Sequence, residues 1–200
     1  MNLREHPRLT EFEAWFAKYA TLVKPIIGEY YRAAGPHYTT SKAIISGNGA
    51  LHMGGRWNSL GGMRIVYLSN EPETALREAN ENCRYHKLPL RNGMPKVVVA
   101  VAVKLKYVLD LTDEALIDLL PESPSSLLAE DWRALMLRGE MSASQAMSQA
   151  AFYAGFQGLL VPSKTDPNGV NLLVYPDRLT KKCSIKVLNA AELDKLGKSG

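Results

Sequence analysis

Cysteine is scarce in this chain, with two in 200 residues, Cys83 and Cys183. That excludes a disulfide scaffold at this length, and both are read as reduced thiols. Cys83 and His86 have a ligand-like spacing, but no second Cys/His pair completes a zinc site. A helix-borne cysteine beside Ala75, Leu76 and Ala79 belongs to a core, so no metal is expected. Long hydrophobic runs are absent too: nothing approaches the roughly 18 consecutive apolar residues of a membrane helix. The opening MNLREHPRLTEFEAWF places Glu5, Glu11 and Glu13 where a signal peptide needs an apolar stretch. A cytoplasmic protein that touches no membrane is the expectation.

An excess of one charge sign is nearly missing as well. The net charge is +4, and residues 177–200, with six Lys/Arg and three Asp/Glu, supply +3 of it. That basic tail is read as a solvated end, and without an RNP-like aromatic motif or a helix-turn-helix signature no direct nucleic-acid binding is expected. Gly47-Asn48-Gly49 suggests a dinucleotide fingerprint, but the third glycine would fall at His52 and no helix pattern follows, so the Rossmann reading fails. No repeat, linker or composition break divides the chain.

What is present describes one globular α+β domain over residues 1–200, with 46% hydrophobic and 22% charged side chains. Thr10 and Glu13 form a capping box for a helix to about Lys24, which Pro25 and Gly28 end. Glu29 to Ala33 reads as a strand, and the long glycine-rich connection RAAGPHYTTSKAIISGNGALHMGG reads as a binding loop. Arg56-Trp57-Asn58 then leads through the Gly61-Gly62 turn into Arg64–Ser69, giving strand, turn, strand. A helix with Pro72 in its first turn follows, capped by Asn70 and Glu73. Along it Ala75, Leu76, Ala79 and Cys83 form the apolar stripe, with Glu78 at the buried boundary.

Val97 to Val103 has the continuous apolar character of a strand buried on both faces, and Tyr107 to Leu111 continues it after a kink at Lys104 to Lys106. Helices are expected at about 113–120, 126–138 and 143–154. Ser142 and Gln145 form a capping box for the last, and Gly155 closes it. Short strands follow at Phe156–Pro162, Asn171–Tyr175 and Ser184–Leu188, with a polar loop, Ser163 to Gly169, between the first two.

Arg56, Tyr67 and Glu78 are spaced eleven residues apart. A guanidinium offers planar donors to phosphate and a carboxylate holds ribose hydroxyls, a combination that suits a dinucleotide. Where the bond between nicotinamide and ribose breaks, the transition state is oxocarbenium-like and a fixed carboxylate stabilises it, while an aromatic such as Tyr67 stacks on the leaving ring.

The order GGRWN, VYLS, ETALRE, then far downstream GLLVPS and NLLVYP, resembles the RES-domain family over roughly residues 28–177. These are the toxins of bacterial toxin–antitoxin pairs whose partner is an Xre-like helix-turn-helix antitoxin. The resemblance implies a split mixed β-sheet around a cleft, flanked by helices and similar to ADP-ribosyltransferase toxins, and an attack on NAD⁺ at its nicotinamide–ribose bond that depletes NAD⁺ and arrests growth. It maps site residues onto Arg56 for the phosphates or ribose, Tyr67 for nicotinamide and Glu78 for the ribose hydroxyls and the oxocarbenium. Ser163 would close the far wall, and Arg32, in a YYR strand, is a fifth candidate. It also implies an antitoxin that covers the cleft, with oligomers within that complex. The helix before residue 28 and the basic tail then stand as appendages to the family core. The glycine-rich segment and the region from 80 to 155 are generous for the family. The acceptor stays open: water makes an NAD⁺ glycohydrolase, phosphate a phosphorylase, and a protein side chain an ADP-ribosyltransferase. A non-catalytic nucleotide- or partner-binding module is the competing reading.

Overall fold

A computed structural model describes residues 3–35, 40–94 and 96–196. Its organising element is the fourteen-residue strand β3 (Val97–Asp110). Ten of its residues pair antiparallel with β1 (Lys24–Ala34), and its end pairs parallel with β4 (Gly158–Pro162). β4 pairs with β5 (Val170–Val174), β5 with β2 (Val66–Ser69), and β2 with β1, so the mixed sheet closes on itself. The ring has one loose seam: β1 and β2 meet only at Tyr31 opposite Ser69, and past that point they part. β6 (Ser184–Val187) adds a flap to β3.

Successive residues of the sheet feed two apolar cores. On β5, Leu173 packs with the helical core of Phe12, Phe16, Met147 and Tyr175, while Leu172 and Val174 face Ile44, Val101 and Ile185. The parallel β3–β4 pair demands a long crossover, and residues 111–157 supply it with α6 (Glu114–Ile117), α7 (Pro124–Ala129), α8 (Trp132–Leu137) and α9 (Ala143–Tyr153). α9 opens on the expected Ser142/Gln145 capping box and leads to Gly155 at φ 90°. No described helix is long and apolar enough to cross a membrane.

Several local expectations are corrected. α1 (Leu9–Lys18) ends six residues early and starts after Arg8 without the Thr10 capping box. β1 claims Lys24 onward because its partner β3 is long, and Pro25 sits at the register shift between Lys24 and Ile26, where a missing N–H does least harm. β3 continues through Lys104–Lys106 as one strand, and the irregularity expected there takes the form of a shift in its register with β1, between Leu105 opposite Ile26 and Val108 opposite Lys24. Its pattern alternates, with Val99, Val101, Val103 and Leu105 buried and Lys104 and Lys106 exposed, so only one face of that stretch is covered. Arg56-Trp57-Asn58 is a tight turn rather than a strand.

The glycine-rich connection holds two short helices, α2 (Ser41–Ser46) and α3 (Asn48–Met53), so a helix does follow Gly47, although it is only six residues long. Residues 36–39 of that connection lie outside the described residues. Gly47 joins the two helices at φ 71°, and a Cβ there would sit 3.0 Å from the Ile65 nitrogen. α4 (Pro72–Ala79) is preceded by Glu71, which makes no side-chain cap, in place of Asn70 and Glu73. The expected helix over 126–138 breaks at Glu130–Asp131, where Asp131 caps α8.

Neither end is an appendage. Phe12 and Phe16 of α1 are fully buried. In the basic tail β6 joins the sheet, α10 (Ala190–Leu196) buries Leu193, and Asp194 accepts from the Ser41 amide at 2.6 Å. The last residues of that tail, 197–200, lie outside the described ones.

Candidate functional site

Where β1 and β2 part, a cavity of about 220 Å³ opens, lined by Tyr31 and Arg32 from β1 and Tyr67 and Ser69 from β2. Arg56, Glu78 and Asn171 complete its sheet side. Glu81, Trp132, Arg133 and Lys164 close the rest. Four of the five expected residues thus share one cavity, and Ser163 stands behind it.

The GGRWN segment owes its shape to buried polar contacts. Gly55 and Asn58 exchange backbone hydrogen bonds of 2.9 and 3.3 Å, and the fully buried Asn58 donates from Nδ2 to the Ala50 carbonyl at 2.7 Å. Gln145 donates to the Gly55 carbonyl, and Ser144 to the Arg56 carbonyl at 2.7 Å. The Tyr67 hydroxyl donates to Asn58 Oδ1 at 2.7 Å and accepts from the Trp57 amide at 3.2 Å. A Cβ on Gly55 would fall 2.7 Å from that hydroxyl, so glycine is required. Burial pushes the Tyr67 phenol well above its ordinary range, outweighing the Trp57 amide and the two arginines, and the phenol stays neutral. With its hydroxyl occupied, Tyr67 has only its ring to offer a ligand. Trp57 is a core residue.

Arg56 Nη1 donates to the carbonyls of Leu127 and Glu130, at 2.9 and 3.0 Å. These carbonyls are available because the chain breaks after α7, and they aim the guanidinium into the cavity. Burial depresses its pKa, with Glu81 and Glu78 pulling the other way, and an arginine so placed remains charged. Arg32 is the more exacting case: its Nη1 is buried with no hydrogen-bond partner among the described residues. A buried donor on a cation costs stability unless something fills it, and an anion in the cavity would do so.

Glu78, half-buried on α4, is held through one oxygen. Its Oε1 accepts from Ser163 Oγ at 2.5 Å, from Asn171 Nδ2 at 3.0 Å and from the Lys164 amide at 3.0 Å. Ser69 Oγ in turn donates to Asn171 Oδ1 at 2.7 Å, which orients that amide. Oε2 keeps no partner among the described residues and is free for a ligand. Ser163 spends its one proton on Glu78 while accepting from the amides of Thr165 and Asp166, so it positions the carboxylate instead of forming the far wall, which Lys164 takes. The loop is fastened to α4 by Thr74, whose hydroxyl donates to Asp166 at 2.5 Å.

Sequence reasoning missed the helical wall. Glu81, three residues after Glu78, opens α5 (Glu81–Tyr85) and receives Arg133 Nη2 at 2.5 Å. The Arg133 guanidinium lies 4.3 Å from the Trp132 ring and 4.6 Å from that of Tyr85. The Glu-x-x-Glu spacing was visible, whereas nothing near Arg133 in the sequence links it to residue 81. Four cations and two carboxylates therefore face the cavity, a balance suited to a polyanionic ligand with a cationic centre.

The chain is similar to the NAD(+) phosphorylases MbcT of Mycobacterium bovis and Mycobacterium tuberculosis, 27% identical over 152 residues that span 72% of this chain and 70% of the relatives. A chain in the crystal structure of the M. tuberculosis MbcT–MbcA toxin–antitoxin complex shares the mixed α+β fold with a TM-score of 0.63 at 22% identity, covering 96% of this chain and 98% of that one. Residues 29–191 match the RES domain, beyond the expected limit at 177 and through β6, and this protein belongs to the RES-domain family.

Proposed function

We propose that this protein is the toxin of a toxin–antitoxin pair, acting in the cytoplasm, and that it cleaves the nicotinamide–ribose bond of NAD⁺ and passes the ADP-ribosyl group to inorganic phosphate. The carrying observation is Glu78: a carboxylate fixed through Oε1 by three donors, its Oε2 facing a cavity that also holds Arg32, with an unfilled buried donor, and Arg56. Arg32 and Arg56 bind the diphosphate, and the Tyr67 ring stacks on nicotinamide. Glu78 takes the ribose hydroxyls and stabilises the oxocarbenium that grows as the bond lengthens. Because its donors are already in place, no reorganisation is needed at the moment of reaction.

Phosphate as acceptor is supported by the name of the curated relatives. The partner is an Xre-like helix-turn-helix antitoxin that covers the cleft, in line with the toxin–antitoxin complex of the structural relative. A sheet split beside the cleft is the feature that supports a kinship with ADP-ribosyltransferase toxins.

The test is incubation of the purified chain with NAD⁺, with and without phosphate, and identification of products by mass spectrometry. Nicotinamide with a phosphorylated ADP-ribose is expected. ADP-ribose alone would make the acceptor water, and NAD⁺ left intact in every condition would overturn NAD⁺ degradation in favour of a protein acceptor or a binding module.

A further inference from the structure

One carboxylate in the cleft has no role in the bond cleavage just described. Glu81 lines the same cavity as Glu78, yet its Oε2 is bound to Arg133 Nη2 at 2.5 Å, with the two side chains 19% and 17% exposed. Arg133 is held flat by Trp132 and Tyr85, and Asp131 accepts the Tyr85 hydroxyl at 3.0 Å. Among the described residues Glu81 is the only hydrogen-bond partner of the Arg133 guanidinium, so most of its five N–H groups are unspent. Building on the function proposed above, we propose that Arg133 binds the acceptor phosphate, that Glu81 is its positioning residue, and that this pair selects phosphate over water.

Proton balance separates the two acceptors. In either reaction the C1″–N bond of the nicotinamide ribose breaks and its electron pair returns to the nicotinamide ring, neutralising it. When water forms the new bond to C1″, the product oxygen must lose a proton, and a free carboxylate near the attacking oxygen is needed to take it. When a phosphate dianion forms that bond, an already anionic oxygen attacks and no proton has to leave in that step. Inorganic phosphate passes from monoanion to dianion around neutral pH, so a substantial share of it carries the second charge there. Two carboxylates line the cavity: Glu78 is taken up by the ribose hydroxyls in the function proposed above, and Glu81 has its Oε2 on Arg133. The Arg133 guanidinium lines the cavity and gives Glu81 a single contact through Nη2, and a guanidinium's planar donor set is suited to phosphate oxygens. With Arg32 and Arg56 assigned to the diphosphate of the dinucleotide in the function above, Arg133 is left for a second anion.

The experiment compares the wild type with Arg133→Gln, Arg133→Lys and Glu81→Gln at varied phosphate, with both products quantified. Arg133→Gln is expected to raise KM for phosphate about tenfold or more, to leave KM for NAD⁺ within about threefold, and to raise the share of ADP-ribose. Arg133→Lys, which keeps the charge and loses the fork, falls between. Glu81→Gln raises KM for phosphate with little change in kcat, the split expected of positioning. An unchanged KM for phosphate and product ratio in Arg133→Gln overturns the assignment. Because Arg133 is packed between two rings, the melting temperature of wild type and Arg133→Lys is also measured with phosphate alone, against chloride at matched ionic strength. A larger upward shift in the wild type supports the assignment, and equal shifts overturn it. A wild type inert toward NAD⁺ would overturn the function above, while the phosphate shift still decides what Arg133 binds.

Discussion

The two walls of the cleft are built by different means. On the sheet side, three groups are held by hydrogen bonds to uncharged partners: Tyr67 by Asn58 and Trp57, Glu78 by Ser163, Asn171 and the Lys164 amide, and Arg56 by two carbonyls. On the helical side, Glu81 and Arg133 sit on helices of five and six residues and hold each other by charge and ring contacts. Such helices have little stability of their own and depend on what they pack against. The difference matches the division proposed above, with bond cleavage on the hydrogen-bonded wall and acceptor choice on the wall held by charge.

The most severe break is Glu78→Gln. Glutamine keeps an oxygen for the three donors and replaces the free Oε2 with an amide, so kcat should fall on the order of 10³-fold while the melting temperature stays nearly constant, checked by steady-state kinetics and calorimetry. Retained activity would remove the sheet wall from the chemistry. Gly55→Ala comes next: a Cβ 2.7 Å from the Tyr67 hydroxyl and 2.8 Å from Asn58 Oδ1 must push the turn aside. A loss of about 10²-fold in kcat/KM and of roughly 1–3 kcal/mol in stability is expected from that overpacking, read from turnover and denaturant titration.

Ser163→Ala leaves Glu78 two of its three donors and should lower kcat about tenfold with KM for NAD⁺ unchanged. A larger loss, equal to that of Glu78→Gln, would mean that Ser163 itself touches the substrate. The smallest effect belongs to the helical wall: Tyr85→Phe removes only a partly exposed bond to Asp131 and keeps the ring under Arg133, so activity should change less than about twofold. If that variant instead loses phosphate dependence, the hydroxyl is needed to hold Arg133 in place.

Legibility followed the reach of the interactions. The capping box of α9, the Ser163–Gly169 loop, the strand around Tyr67 and the boundary position of Glu78 depend on residues within a turn or two, and they read correctly. α1 and β3 were misread where a distant partner overruled local signals. β1 draws Lys24 out of the helix pattern, and pairing with β1 carries β3 on as one strand past the register shift beside Lys104–Lys106. The tail looked like a solvated end because charge density says nothing about Leu193 packing or the strand partner of β6.

The amino-acid order by itself determined the chemistry on offer: a glycine that lets the Arg56 turn form, an apolar strand carrying Tyr67, and a helix bringing Glu78 to its buried edge, each set by local sterics and periodicity. The tertiary structure alone decided that Ser163 serves Glu78, that Arg32 is left with an unfilled donor, and that Glu81 meets a guanidinium fifty-two residues away. The reason is physical: which polar groups lose water together, and so must find one another, depends on how the sheet closes and where it parts, and no short stretch of the chain contains that information.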